Sequence, residues 1–376
     1  MNRPSSTGEY AVGTFTRSLY SLRDETLETE CRRSLALRIY YPVLKEDIEG
    51  MEKIRYMSRD MAKALSKTMH APIDYDKSTK AGDNISDCYK DAPRIKGARF
   101  PLIIFNHGLM SYRESNSFLC IEMASHGYLV MSISHPMDSC LTEFDDGTSV
   151  PFFKTLAKKQ YEPFLGGALS VLKLSKAKGV SERELSDRFD EIQRKYCKLI
   201  MSRIPEWDKD NLAALDYAKN ELSDLIDFDP GIGITGHSLG GATAYSLCLN
   251  YPEFKCGINM DGALFGDHTG KVLDKPFIQM CCSTNKNAET RSLIDHRSTV
   301  YLAEFNDMAH LGFTDIKQFM NIPFLAGRLD PFKAHDNICK CHLELFDTYL
   351  KGTKDKPILI SNDAVTIKEY EPDIRS

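Results

Sequence analysis

The chain of 376 residues lacks several features that would fix its class at once. No apolar stretch approaches the roughly 18–20 residues that a membrane span requires. The longest runs are short, such as Pro101–Phe105 (PLIIF), so no transmembrane segment is expected. Residues 1–20 (MNRPSSTGEYAVGTFTRSLY) hold no apolar core of about 7–15 residues, so no secretory leader is expected. Position 2 is not Gly, which removes the usual myristoylation motif. An excess of basic charge is also missing: 48 Lys and Arg stand against 53 Asp and Glu, a formal charge of −5. That argues against a nucleic-acid binder, which needs a basic domain or stripe. Internal repeats and low-complexity tracts are absent, and Trp207 is the only tryptophan.

What is present is ordinary globular composition, 42% hydrophobic and 27% charged, enough for a sizeable core. Eleven cysteines are scattered, odd in number, and several fall inside apolar runs. Buried free thiols in a reducing compartment explain them best, which points to the cytoplasm. Cys120, Cys248, Cys256, Cys281 and Cys282 read as core residues. His335, Cys339, Cys341 and His342 cluster, but no second pair lies at zinc-ribbon spacing, so neither metal nor cofactor is expected.

Short apolar runs alternate with amphipathic stretches. Runs at 35–42, 99–106, 128–135, 231–236, 256–261, 274–283 and 299–305 read as strands, most of them buried on both faces. Helical stretches at 115–126, 208–226 and 240–250 lie between them. This alternation predicts an α/β fold with a mostly parallel sheet and helices on both faces. Segments 43–97 and 151–205 break the pattern and read as insertions in a single domain spanning 1–376. In the second, Ser181 and Glu184 form a capping box ahead of an apolar face at Leu185, Phe189, Ile192, Tyr196 and Leu199. It also mixes aromatics with lysines (Phe152, Phe153, Lys154, Lys158, Lys159, Tyr161, Phe164), which suits either a solvated face or peripheral contact with a lipid surface.

The sharpest local signal is Gly236-His237-Ser238-Leu239-Gly240-Gly241. It matches G-x-S-x-G between a strand and an Ala-rich helix, the setting of a nucleophile elbow. Gly236 and Gly240 would let neighbouring backbone approach, and the helix N-terminus behind Ser238 would favour a developing oxyanion. An oxyanion hole needs the N–H after the nucleophile, here Leu239, and a second N–H from the turn after an earlier strand. PLIIFNHGL supplies Leu109, while His107 in the same turn suits structural hydrogen bonding better than catalysis.

The base should lie late in the chain. His310, in the loop after TVYLAEF, has the right place, with His268 the weaker competitor. The acid must hold the imidazole and stabilise its cation. Asp261, at the end of CGINMD, is favoured because functional groups collect at the carboxyl ends of parallel strands. Glu289 and Asp267 stay open as alternatives.

The blocks PLIIFNHGLMSYR, EMASHGYLV, GHSLGGATA and CGINMDGALF resemble the platelet-activating factor acetylhydrolases, the plasma and intracellular type II group, over about residues 10–325. The resemblance implies an α/β-hydrolase fold, Ser238 as nucleophile, Asp261 as acid, His310 as base, and Leu109 and Leu239 as oxyanion donors. It also implies a serine esterase acting on short or oxidised sn-2 acyl groups of glycerophospholipids, a phospholipase A2 type of reaction. Two departures stand out: Leu239 occupies a place where an aromatic is frequent, and GALFGDHTG lacks tryptophan. A general carboxylesterase, lipase or thioesterase on the same fold is the alternative, and a non-catalytic lipid- or partner-binding relative is a further one.

Overall fold

The computed structural model describes residues 4–27, 31–70, 85–153, 166–167, 169–319 and 322–372. The chain divides into two compact units, each drawn from separate stretches of sequence. The first unit is Met1–Phe152, Asp210–Pro230 and Thr314–Met320; the second is Phe153–Lys209, Gly231–Phe313 and Asn321–Ser376.

The first unit carries strands β1 (Ala11–Asp24), β2 (Arg32–Val43), β3 (Lys53–Arg55), β4 (Ile85–Lys90), β5 (Phe100–Asn106) and β6 (Leu129–Ser134), in the order β5-β6-β2-β1-β4-β3. A hairpin of β7 (Leu141–Glu143) and β8 (Ser149–Pro151) and a two-residue β9 (Ile226–Asp227) complete it. β5 and β6 are parallel, with Leu102 opposite Leu129, and their apolar runs are buried throughout the paired stretch. β2 runs antiparallel to both β6 and β1. β3 and β4 fall inside the segment 43–97, so part of that segment extends the sheet edge. Helix α1 (Arg59–Met69) is capped by Ser58, whose hydroxyl accepts the Met61 N–H. Helix α2 (Ser117–Ser125) is buried along its whole length and ends before Gly127, whose φ of 87° continues the turn that a side chain would resist. Tyr56, Tyr112, Phe118 and Phe319 form an aromatic core here, with Tyr56 and Phe319 ring centres 4.6 Å apart.

The second unit contains helix α3 (Glu182–Tyr196), where Ser181 does accept the Glu184 N–H. Helix α4 (Lys198–Glu221), whose residues from Asp210 onward belong to the first unit, starts ten residues before the apolar periodicity suggested, and Leu199 belongs to it, because α3 ends at Tyr196 with Cys197 as its cap. Then follow β10 (Ile232–His237), α5 (Leu239–Asn250), β11 (Phe254–Met260), β12 (Phe277–Cys282), β13 (Val300–Phe305), α6 (Pro331–Tyr349) and β14 (Val365–Tyr370). β10 to β13 are parallel neighbours in that order, and β14 closes the edge antiparallel to β13. Of segment 151–205, residues 154–165 lie outside the described residues, and Leu185 and Phe189 pack with Leu174 and Ala288.

No helix among the described residues is long and apolar enough to cross a membrane. All eleven cysteines are free thiols, and Cys120, Cys248, Cys256, Cys281 and Cys282 are buried. In the C-terminal helix, His342 gives one ring nitrogen to Thr235 Oγ1 (2.9 Å) and the other to the Ile338 carbonyl (2.8 Å).

Candidate active site

β10 delivers the chain to Ser238, and α5 leaves from the next residue. Ser238 takes φ 56° and ψ −122°, a conformation an L-residue resists, and its N–H is held by the Met260 carbonyl at 2.9 Å. The turn works because its surroundings are small. A Cβ at Gly241 would strike Asn259 Oδ1, and one at Gly262 would strike the Ser238 carbonyl oxygen. Asn259 answers by bonding both the N–H and the carbonyl of Gly262, at 2.9 and 2.7 Å.

Asp261 follows β11, also at positive φ (56°), and is fully buried. Its Oδ1 accepts the Cys282 N–H at 2.6 Å, and its Oδ2 accepts from the Asn285 amide at 2.6 Å and from the Cys282 thiol at 3.4 Å. His310 begins a short helical turn after β13. Its Nδ1 lies 2.7 Å from Asp261 Oδ2 and its Nε2 lies 3.0 Å from Ser238 Oγ. An ionised carboxylate only accepts, so Nδ1 carries the proton and Nε2 turns its lone pair to the serine hydroxyl. His237 fixes this histidine from the other side, donating from Nε2 to the His310 carbonyl at 3.0 Å.

The other acidic alternatives go elsewhere. Glu289 accepts from Gln279 Nε2 at 2.5 Å, and burial, then the Asp261 charge, raises its carboxyl well above the ordinary range. Asp267 is exposed and accepts the Thr269 N–H. His268 packs edge-on against Tyr245. In the first unit, His107 is buried, bonds its own Gly108 carbonyl and Ser139 Oγ, and is pushed down to about 3 by burial and by His135. Leu109 sits in the same turn, whose bonds are made by the Met110 and Ser111 N–H groups. Leu239 opens α5, where the first N–H groups have no helical partner.

Sequence reasoning missed the groups that hold Asp261. Cys282 reads as core, yet it supplies two of the carboxylate's hydrogen bonds. Asn285 lies in STNKNAET, a stretch that lacks aspartate and draws notice in sequence only through Glu289. Cys282 is the last residue of the strand neighbouring β11, and Asn285 lies three residues past it.

Serine, aspartate and histidine in that chain order, at the carboxyl ends of parallel strands, are the arrangement of the α/β-hydrolases, and this fold is of that class. The structure of ferulic acid esterase from Streptomyces cinnamoneus matches it with a TM-score of 0.70, covering 97% of this chain and 98% of that one at 19% identity. In sequence, residues 1–355 match the family described as platelet-activating factor acetylhydrolase, isoform II, and the chain belongs to that family. The platelet-activating factor acetylhydrolase of Canis lupus familiaris is 26% identical, across 94% of this chain and 78% of that protein. That of Gallus gallus is 26% identical, across 93% and 81%.

Proposed function

We propose that this chain is a serine esterase that hydrolyses short or oxidised sn-2 acyl esters of glycerophospholipids. The observation that carries the reading is the relay from Ser238 Oγ through His310 to Asp261, at 3.0 and 2.7 Å. His310 Nε2 takes the hydroxyl proton as Ser238 attacks the ester carbonyl. The Leu239 amide, at the start of α5, holds the oxyanion. Asp261 stabilises the imidazolium, which then protonates the leaving alcohol, and water resolves the acyl-enzyme by the same steps. The choice of a phospholipid rests on family membership. That the whole chain acts as one hydrolase domain is part of the proposal, supported by a family match over residues 1–355. The eleven free thiols support a cytoplasmic site of action. Peripheral contact with lipid surfaces rests on the composition of 151–205 alone.

The test is a turnover panel over phospholipids of increasing sn-2 chain length, with a simple aryl acetate alongside. Acetyl and short oxidised chains should be cleaved far faster than long ones, and all turnover should vanish in Ser238→Ala. Equal rates across lengths would favour a general lipase; cleavage of the aryl acetate alone would favour a carboxylesterase.

A further inference from the structure

The second unit holds a cavity of about 730 Å³ that the esterase reading does not use. Residues from α3, α4 and α5 and from the loop after Asp261 line it. Its nearest approach to the elbow along the chain is Ser246, roughly 10 Å down the axis of α5 from Leu239. The volume is in the range of small-molecule sites.

Its floor is made of polar groups with unmet hydrogen-bonding capacity. Asp208 is buried; its Oδ2 accepts the Ser246 hydroxyl at 2.7 Å, while its Oδ1 has no partner among the described residues. The His268 ring is buried against Tyr245, with the Phe265 backbone as its polar neighbour, and no side chain among the described residues bonds its nitrogens. Burial raises the Asp208 carboxyl to about 7, and burial together with Arg291 and Lys271 lowers His268 to about 4. Burial disfavours the imidazolium, so the ring offers one donor and one acceptor, and the Asp208 carboxyl lines the same cavity. Such a floor suits hydroxyl groups, which both give and take hydrogen bonds, because leaving these buried atoms unpaired is costly.

The rim is different. Arg194, Lys198 and Lys271 are exposed cations on the lining, against the single exposed carboxylate of Asp267. Lys271 is steadied by Asn250 Oδ1 at 2.7 Å, and Arg194 by the Asp190 carbonyl at 3.1 Å. Cations grouped this way suit a phosphate, which takes charge-assisted hydrogen bonds from several sides. Met201 and Ile204 lie among these groups and can meet a carbon skeleton.

We propose that this cavity binds a polyol phosphate, with its hydroxyls on Asp208 and His268 and its phosphate on Arg194, Lys198 and Lys271. A free polyol phosphate and the glycerophosphate headgroup of a lipid share this chemistry. The site is independent of ester cleavage, so its failure and the failure of the esterase reading are separable.

The experiment is calorimetric titration of the full chain with glycerol 3-phosphate, with inorganic phosphate and with phosphatidylglycerol bicelles. Glycerol 3-phosphate is expected to bind about tenfold more tightly than inorganic phosphate. Replacing both rim lysines, Lys198→Ala with Lys271→Ala, should weaken both probes. His268→Phe should weaken glycerol 3-phosphate alone. Should that variant fail to fold, as read by circular dichroism, the exposed lysine pair still carries the test. Ser238→Ala should bind as the parent does. Binding only to the bicelles, lost in the lysine variant, would identify the lipid headgroup as the source. The proposal is overturned by no binding of any probe at millimolar concentration, by binding that the lysine variant leaves intact, or by equal affinity for phosphate and glycerol 3-phosphate.

Discussion

Each unit of this protein contains a histidine bonded through Nδ1 to a fully buried aspartate at nearly the same distance. In the first unit His135 meets Asp210 at 2.8 Å; in the second His310 meets Asp261 at 2.7 Å. What surrounds the pair decides what it can do. Asp210 is shared with Arg33, which bonds both its oxygens, and Arg33 in turn reaches Glu25. Burial works against the Asp210 charge, but Arg33 and His135 outweigh it and hold the carboxyl far below its ordinary range. The other nitrogen of His135 is taken by the Asn106 side chain at 2.9 Å, and no part of the ring reaches solvent. It is a closed, charge-compensated node. His310, by contrast, is 38% exposed, and its second nitrogen faces a serine hydroxyl on a strained turn. The two histidine–aspartate pairs differ in their open side, and that side is what the proposed mechanism uses.

The comparison can be broken by one substitution in each pair. Asp261→Asn should cut kcat by about 10⁴-fold in a protein that still folds, because the imidazole loses the partner that sets its tautomer. Asp210→Asn should instead cost about 3–5 kcal/mol of stability by leaving Arg33 short of charge compensation, with turnover per folded molecule unchanged. Chemical denaturation and steady-state kinetics on both variants check this; the reverse pattern would exchange the roles assigned to the two pairs.

A smaller effect sharpens the assignment of the acid. Glu289→Gln should lower kcat by less than about tenfold, against the far larger loss for Asp261→Asn. Its signature is in stability. The Glu289 carboxyl is raised in the folded state, so wild-type stability from this group is present below the ordinary value of 4.5 and declines as pH rises above it. The gap in Tm between the variant and wild type should therefore widen in the variant's favour from pH 4.5 toward neutral, as scanning calorimetry would read.

The smallest expected effect is shared by both units. His107 in the first, and His268 and His342 in the second, are buried and lowered from 6.5 to about 3, 4 and 4. Folded pKa values below the unfolded ones mean stability that is fully present above pH 6.5 and is lost as pH falls toward 4. Thermal denaturation across that window should show Tm declining on acidification, and replacing His342 with Gln should shallow the slope.

Much of this was legible in the sequence where the signal is local. The continuous apolar runs of β5, β6 and β10 to β13 announce buried parallel strands, and the glycines around Ser238 announce a tight turn. β1 was not legible, because only its first four residues are buried and the rest are partly or fully exposed. β14 (VTIKEY) is polar and half exposed for the same reason. At the site, Ser238, Asp261 and His310 could be chosen by chain order, but Cys282 and Asn285 could not. Their role comes from β12 lying beside β11, a register no local pattern encodes. The closed pair was hidden for a like reason, since Arg33, His135 and Asp210 are far apart in sequence.

The most direct test of the account is to label the full chain with a fluorophosphonate and map the adduct by peptide mass spectrometry. A single adduct on Ser238, formed at a rate that falls steeply in Asp261→Asn and not in Asp210→Asn, is the predicted result. An adduct on another residue, or none on a folded protein, would contradict it.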